Sequence, residues 1–325
     1  MNGDTGLVVA DIGGTNARFG LVDRGGSVVD VEVLPCSDFS GLADAFDSYL
    51  GLRKRTVSCL ALAVACPADV DQISFTNNHW SFPRCSVASD LGLDQVLLVN
   101  DFAAQSLAVA FSGMDSYRYL QCPETDTETK PTLVIGPGTG LGVGALVYDQ
   151  QGHPVILEGE GGHVTVSPRT VLEKAVVSEL ERQFSHVSAE RLVSGPGLLN
   201  IYTALCSTRG LWPAATEPAD VVGLADRDSI ARESLDLFAR FFGTVAANAC
   251  LTTGSGRVVI AGGVVPRLGE KFNEAAFLDS FCDKGRVSDI LSGTCVKLQL
   301  NPEAALVGLA GAFSVQQLAS KIISA

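Results

Sequence analysis

Two turns rich in glycine and threonine have the residue types best suited to hold an anion. The first is Gly13-Gly14-Thr15-Asn16, and the second is Gly136-Pro137-Gly138-Thr139-Gly140. Glycine lets backbone amides approach an anion closely and permits a positive φ, while a threonine hydroxyl adds a donor. Two such turns could hold the two ends of a triphosphate. The alternative, a pair of tight hairpins without a ligand, is less expected for two matching turns than for one.

Several polar residues stand at the ends of apolar segments. Asp11 lies inside an apolar strand just before the first turn, where a buried carboxylate needs a partner; it is a candidate Mg²⁺ ligand, directly or through water. Asn100-Asp101 ends another apolar strand, and the local sequence alone favours an ordinary helix N-cap at the aspartate. Glu160-Gly161-Gly162-His163 places an acid and an imidazole around a flexible turn. Glu190, next to Arg191, is by itself typical of a surface ion pair.

Two common phosphate-binding motifs are excluded. The sequence contains no G-x-x-x-x-G-K-[ST], so a P-loop is absent. The segment 140–145 matches the loose dinucleotide pattern G-x-G-x-x-A, but that motif must open a helix. Here Gly152 and Pro154 follow a strand-like start, so we interpret the match as a coincidence of glycine content.

The elements that position these residues follow from the spacing of apolar residues. Strands are predicted at 7–12, 17–23, 57–65, 96–99, 133–135, 141–148 and 258–261, and helices at 102–111, 170–184, 229–251 and 303–318. The last helix is predicted to begin at Asn301-Pro302-Glu303, with the asparagine as N-cap. Each glycine turn therefore lies between two strands. Because this unit recurs after about 120 residues, we expect two similar halves.

Length and composition restrict the class of protein. A chain of 325 residues is expected to form two domains, and a net charge of −13 argues against nucleic acid as a partner. No apolar run reaches the ~18–20 residues of a membrane span. The first residues lack the basic charge of a signal peptide. Nine scattered cysteines without a C-x-x-C pair predict reduced thiols and a cytoplasmic location.

Taken together and in chain order, these segments resemble the bacterial glucokinase family of the sugar kinase and actin-like ATPase superfamily. The matching segments are 11–18 and 136–142 (phosphate loops), 76–80 (an Asn/Trp segment near the sugar), 100–102 (catalytic aspartate), 158–163 and 188–191 (sugar binding) and 260–267 (adenosine-side turn). The resemblance covers nearly the whole chain. It implies an α/β, two-domain actin-like ATPase (ribonuclease H-like) fold with an inter-domain cleft. The smaller domain would contain 1–110 and 302–325, and the larger one 111–301, beginning near an exposed loop at 124–130.

The resemblance also implies ATP-dependent phosphorylation of D-glucose to glucose 6-phosphate, with ATP and Mg²⁺ required and a homodimer as the assembly. Asp101 would be the general base. Glucose would be bound by Asn100, Asp101, Glu160, His163 and Glu190. The nucleotide would be bound by Ala10, Asp11, Ile12, Gly13, Gly14, Thr15, Asn16, Gly138, Thr139, Gly262 and Gly263, with Asp11 also serving Mg²⁺.

Three other functions remain open at this stage. A kinase for another hexose would share the fold. A polyphosphate or nucleotide phosphatase of the same superfamily would not need Glu160, His163 and Glu190. A sugar-responsive repressor would need a helix-turn-helix, for which we expect no room before Asp11. The related repressor and kinase branch carries a cysteine-rich zinc motif, but 164–168 contains no cysteine, so no zinc is expected.

Overall fold

Two mixed β-sheets of six strands each organise the chain in this computed structural model, which describes residues 6–51, 53, 56–75, 78–123 and 130–325. The strands are β1 (Gly6–Ile12), β2 (Asn16–Val22), β3 (Val28–Pro35), β4 (Val57–Val64), β5 (Gln72–Ser74), β6 (Ser81–Pro83), β7 (Gln95–Asn100), β8 (Tyr117–Gln121), β9 (Thr132–Pro137), β10 (Leu141–Tyr148), β11 (Pro154–Gly159), β12 (Arg257–Ile260), β13 (Cys295–Gln299) and β14 (Ile322–Ser324). The α-helices are α1 (Leu42–Gly51), α2 (Val87–Asp90), α3 (Asp101–Phe111), α4 (Val171–Leu180), α5 (Gly195–Thr208), α6 (Pro218–Leu224), α7 (Ser229–Thr253), α8 (Val264–Leu268), α9 (Glu274–Cys282), α10 (Ser288–Ser292) and α11 (Ala304–Ala312).

The chain divides into two units. The first contains the described residues of 1–114 together with 146–157 and 303–325, and the second those of 115–145 together with 158–302. The sequence-based division placed 146–157 in the larger domain instead. The difference has a physical cause, because Ile156 packs into an apolar cluster with Leu306 and Leu309 of α11. The predicted domain bounds themselves stay a prediction, and 124–129 of the predicted loop lie outside the described residues.

The sheet of the first unit has the strand order β14-β7-β4-β1-β2-β3. Its central strands β1, β4 and β7 are parallel, and Ile12, Val64 and Asn100 stand side by side in their register. The carboxyl ends of the three strands therefore lie at one edge of the sheet. Helix α11 packs closely against α3, because a Cβ on Gly308 would overlap the carbonyl oxygen of Ala104.

The sheet of the second unit has the order β11-β10-β9-β12-β13-β8. Strands β9, β12 and β13 are parallel, with Ile135 opposite Ile260, while β8 is antiparallel to β13. A large apolar core that includes most of the inward face of α7 covers this sheet. Among the described residues, no helix combines the length and apolar character needed to cross a membrane.

The secondary structure predicted for the last residues of the chain is wrong. The helix expected at 303–318 is α11, which runs only from Ala304 to Ala312 and has Glu303, not Asn301, at its N-cap position. Residues 316–321 form a 3-10 turn, and β14 then pairs antiparallel with β7. The apolar residues after α11 are buried by this turn and strand, so a longer helix is not needed to cover them.

Candidate active site

The first glycine turn connects β1 to β2, as the sequence predicts. The N–H of Gly13 donates to the carbonyl of Asn16 over 2.9 Å, and Thr15 accepts at its carbonyl from the N–H of Cys36 over 2.8 Å. Gly13 and Gly14 are half-buried, whereas Thr15 and Asn16 are exposed. The turn thus presents backbone and a hydroxyl to solvent. The two predicted nucleotide residues Ala10 and Ile12 are completely buried, backbone included, so neither presents an exposed group to a ligand in this structure.

Asp11 lies one residue from the end of β1, directly opposite Arg18 of β2. Its side chain is only 17% exposed, and Oδ2 lies 3.4 Å from Nη1 of Arg18. Burial raises the pKa of the Asp11 carboxyl, while the charge and hydrogen bond of Arg18 oppose that rise. The carboxylate is therefore costly to keep ionised with the partner that the chain itself provides.

Asn100 and Asp101 have different roles at the start of α3. Asn100 is the N-cap: its Oδ1 accepts from the N–H of Phe102 over 2.9 Å, and its Nδ2 donates to the carbonyl of Cys66 over 3.2 Å. Asp101 is the first helical residue, and its Oδ1 accepts from the same N–H over 2.9 Å. The expectation of an aspartate N-cap is therefore wrong, because the asparagine before it caps the helix.

The sheet brings Asp101 to the edge that carries the first turn. Ile12 and Asn100 stand on either side of Val64, at the carboxyl ends of parallel strands. With neighbouring strands ~4.8 Å apart, the backbones of Ile12 and Asn100 are about 10 Å apart. The first glycine turn and Asp101, the predicted general base, are thus brought to the same edge by the topology of one unit.

The segment 78–80 lies next to the first glycine turn and is hydrogen-bonded to it. Asn78 donates from Nδ2 to the carbonyl of Gly13 over 3.3 Å. Trp80 is 1% exposed, and its indole N–H donates to the carbonyls of Cys36 (3.1 Å) and Phe39 (3.2 Å). The indole is therefore part of the core and is not exposed to a sugar. The other two residues of the predicted sugar segment, 76 and 77, lie outside the described residues.

Trp80→Phe should lower the free energy of unfolding by about 1–3 kcal/mol, because it leaves the carbonyls of Cys36 and Phe39 without their indole donor. Urea denaturation followed by circular dichroism measures the change. Trp212→Phe is the matched control: this side chain is 95% exposed, and its replacement should change stability by less than ~0.5 kcal/mol. Equal stability of the two variants would contradict the supporting role of Trp80.

The second glycine turn connects β9 to β10 in the other unit. The N–H of Gly138 donates to the carbonyl of Gly140 over 2.7 Å, which closes the turn. The carbonyl of Gly138 accepts from the N–H of Gly195, the first residue of α5, over 2.8 Å. Thr139 at the tip is exposed. As in the first turn, a threonine is presented to solvent while its neighbours are held by hydrogen bonds.

Glu190 lies directly beside this turn, on the 3-10 turn Ala189–Arg191. Its Oε2 accepts from the N–H of Leu141 over 2.9 Å. A Cβ on Gly140 would overlap the same oxygen. The interpretation of Glu190 as a surface ion pair is therefore wrong, since its carboxylate accepts from the backbone at the end of the second glycine turn.

Glu160 is the N-cap position of the 3-10 turn Gly161–His163, and His163 is its last residue. The N–H of His163 donates to the carbonyl of Glu160 over 3.0 Å, and Nε2 lies 3.8 Å from Oε2. Both side chains are well exposed, that of His163 at 61% and that of Glu160 at 78%. A Cβ on Gly162 would overlap the carbonyl oxygen of Leu141, so this turn packs on the start of β10. Glu160, His163 and Glu190 are thus brought together around the second glycine turn.

The predicted adenosine-side residues lie at the base of the same turn. Gly262 has a left-handed φ of 77°, and a Cβ there would lie 2.7 Å from the carbonyl oxygen of Pro137. Gly136 approaches from the other side, since a Cβ added to it would lie 2.9 Å from the backbone nitrogen of Gly262. Gly263 follows as the N-cap position of α8. A close backbone approach explains Gly136 and Gly262.

The expected use of positive φ is only partly correct. Of the glycines in the three turns, Gly262 alone has a positive φ, whereas Gly13, Gly14, Gly138 and Gly140 do not. In the phosphate turns, glycine instead keeps space around the backbone. Gly140 is the clearest case, because a carboxylate occupies the space of its missing side chain.

Comparisons with known proteins show the family to which this chain belongs. The Glucokinase family model matches residues 8–316. The chain belongs to the glucokinase family. A glucokinase of Nitrobacter hamburgensis is 42% identical over 308 residues, which cover 93% of this chain and 95% of that protein.

Solved structures of similar proteins show the fold of this chain. The crystal structure of a glucokinase from an Antarctic psychrotroph superimposes with a TM-score of 0.83 at 30% identity, covering 96% of this chain and 99% of that one. A ROK family glucokinase from Streptomyces griseus, in complex with glucose and AMPPNP, has a TM-score of 0.63 at 20% identity, with 97% and 100% covered. This glucokinase-family chain therefore has the two-domain actin-like ATPase fold.

Two residues of the first unit, Arg18 and Asn78, lie in the matched segments 11–18 and 76–80 but were not predicted as site residues. Arg18 could have been found by counting register, because a hairpin that pairs Ile12 with Ala17 must pair Asp11 with Arg18. The contact of Asn78 with the first glycine turn could not be predicted by such counting. Its contact with Gly13 joins residues 65 positions apart, which only the tertiary structure of this family member brings together.

Proposed function

We propose that Asp101 is the general base with which this chain transfers the γ-phosphoryl group of ATP to the 6-hydroxyl of D-glucose. As a member of the glucokinase family the chain is a kinase of carbohydrate metabolism; the roles of its residues are the proposal. The observation that carries it is the position of Asp101 at the sheet edge that also bears the first phosphate turn. Phosphoryl transfer depends mainly on positioning and charge stabilisation, and this edge offers both.

Asp101 is suited to accept a proton from a sugar hydroxyl. Asn100 is the N-cap of α3, so the carboxylate of Asp101 is not needed for that role. The positive end of the helix dipole favours an ionised carboxylate in the first turn. A positioned carboxylate that takes the hydroxyl proton as the phosphoryl bond forms accelerates transfer by general base catalysis.

The hydroxyls of glucose would be bound by Asn100, Asp101, Glu160, His163 and Glu190. A sugar with several hydroxyls requires such a mixture of carboxylates, imidazole and amide. Asn100 already uses its oxygen and one N–H within the chain. Its second N–H and second lone pair are the groups that it would offer to the sugar.

ATP would be held by the two glycine turns and by the turn at Gly262–Gly263, and Mg²⁺ by Asp11. Mg²⁺ usually takes one or two carboxylates and completes its shell with water and substrate phosphates. A mostly buried carboxylate with one long contact to Arg18 fits that requirement. Within the described residues no group of three or more His, Cys, Asp or Glu side chains that could hold a metal ion occurs. When bound, the ion would neutralise charge on the phosphates.

We also infer a cytoplasmic location and a homodimer. All nine cysteines are free thiols in the structure, which supports a reducing compartment. The family resemblance supports the dimer, and a net charge of −13 argues against nucleic acid as a partner. Sedimentation of the purified chain tests the assembly.

The proposed reaction is tested by a coupled assay with ATP, MgCl₂ and a panel of hexoses. Glucose is expected to give the highest kcat/KM. A higher kcat/KM with fructose or mannose would reassign the chain to another hexose. Release of inorganic phosphate at the same rate without any sugar would favour a phosphatase instead.

Glu160→Ala or His163→Ala should raise the KM for glucose and leave the KM for ATP within about twofold. Each change leaves a sugar hydroxyl without its partner, which costs ~1–3 kcal/mol and corresponds to about 5- to 150-fold in KM. His153→Ala is the matched control, because its imidazole pairs with Asp149 on an exposed hairpin. Equal losses for both substrates would count against a role in binding the sugar.

A further inference from the structure

The hydrogen bonds of the second phosphate turn place the proposed sugar residues next to the proposed phosphate residues. Leu141 follows Thr139 by two positions, and its N–H donates to Oε2 of Glu190 over 2.9 Å. The carbonyl of the same leucine lies where Gly162 would carry a Cβ. Both turns that carry sugar residues thus contact Leu141, the first residue after the phosphate turn.

The segment that carries Glu190 also holds the other side of this turn. The N–H of Gly195 donates to the carbonyl of Gly138 over 2.8 Å, and the hydroxyl of Ser194 donates to the backbone carbonyl of Glu190 over 2.7 Å. Residues on both sides of Thr139 are therefore bonded to one short segment. A change in that segment on sugar binding would be transmitted to the backbone around the exposed threonine.

Gly140 is the residue on which this arrangement depends most. Its φ is not left-handed, so its backbone conformation does not require glycine. A Cβ would overlap Oε2 of Glu190 and would lie 3.3 Å from its Cδ. The absence of a side chain is needed for the approach of the carboxylate to the turn.

We propose that Glu190 is a positioning residue for the second phosphate turn as well as a glucose ligand, and so couples sugar binding to nucleotide binding. Oε2 holds the amide of Leu141, and Oε1 is the oxygen that a sugar hydroxyl would use. A hydroxyl bound there fixes the rotamer of Glu190 and thereby the turn that receives the phosphates. Coupling of two sites in this way is reciprocal. The inference rests on the proposed function, which makes Glu190 a ligand of glucose.

The test is calorimetric titration of the chain with a non-hydrolysable ATP analogue and Mg²⁺, with and without saturating glucose. In the wild type, glucose should tighten nucleotide binding by about 5- to 150-fold. Gly140→Ala displaces the carboxylate while Glu190 remains, so the ratio of the two affinities should fall below about threefold. Gly223→Ala is the matched control, because a Cβ on this α6 glycine has nothing within 4 Å; it should keep the wild-type ratio.

A second pair of variants separates positioning from sugar binding and is informative even if Gly140→Ala does not fold. Glu190→Gln retains an oxygen that can accept from Leu141, so it should weaken glucose binding and keep the coupling ratio. Glu190→Ala removes the acceptor and should lose both. Under a role in sugar binding alone, the two variants would differ only in glucose affinity.

Two results would overturn the coupling while the proposed function stands. One is a wild-type chain that phosphorylates glucose but binds the nucleotide equally well with and without glucose. The other is a Glu190→Ala chain in which the ratio of these two affinities is the same as in the wild type. A wild-type chain that neither binds nor phosphorylates glucose would overturn the proposed function, and the coupling with it. The wild-type measurement therefore distinguishes the two failures.

Discussion

Asp101→Asn is expected to lower kcat by about 10²–10⁴-fold, the usual contribution of a positioned general base. An asparagine can hydrogen-bond the 6-hydroxyl but cannot take its proton, so the KM for glucose should change little. Its side-chain oxygen can still accept from the N–H of Phe102, and Asn100 still caps α3. The melting temperature should therefore stay close to that of the wild type, since the helix dipole contribution that is lost is ~0.3–1 kcal/mol.

The matched control is Asp228→Asn. Asp228 is a true N-cap aspartate, whose Oδ1 accepts from the N–H groups of Ile230 and Ala231 at the start of α7. Asparagine caps about as well as aspartate, so turnover of this variant should equal that of the wild type. If a folded Asp101→Asn chain turned over within about tenfold of the wild type, a barrier change under ~1.4 kcal/mol, Asp101 would have no place as the base.

Local sequence predicted the elements that carry both phosphate turns. Alternating and continuous apolar runs are sufficient to identify strands on either side of a glycine turn, and β1, β2, β9 and β10 lie where those runs predict them. The same reasoning wrongly favoured Asp101 over Asn100 as the N-cap, because both residue types cap helices well. The choice depends on the amide of Asn100 reaching the carbonyl of Cys66, a contact between distant residues.

The end of the chain shows the other limit of local patterns. Residues 303–318 are apolar on more than one face, which is compatible with a long buried helix. The chain instead leaves α11 at Ala312 and returns as β14 to the open edge of β7, where Ile322 pairs with Leu97. Edge pairing satisfies backbone groups that a solvent-facing strand would leave open, and this advantage is invisible in the periodicity of the segment. The same is true of the contact between Glu190 and Leu141, which joins residues 49 positions apart.

Asp11→Asn is expected to impair Mg²⁺ use and at the same time stabilise the free chain. Loss of a carboxylate that holds the ion directly or through water should raise the Mg²⁺ concentration for half-maximal rate by about 10- to 100-fold. Titration of activity with MgCl₂ at saturating ATP and glucose measures this. Asp23→Asn is the control, since Asp23 is in the exposed turn after β2 and accepts from the N–H groups of Gly25 and Ser27.

The direction of the change in stability caused by Asp11→Asn follows from the pKa of Asp11. Burial raises the pKa of Asp11 in the folded chain above its unfolded value, against the opposing effect of Arg18. The native state therefore binds the proton more tightly, and stability is lost as the pH rises from the unfolded to the folded pKa. Asparagine resembles the protonated form, so the melting temperature of Asp11→Asn should exceed that of the wild type at pH 7. The difference should shrink as the pH falls toward ~4, the ordinary pKa of an aspartate. A less stable variant whose Mg²⁺ dependence equals that of the wild type would mean that Asp11 serves the ion pair with Arg18 and not the metal.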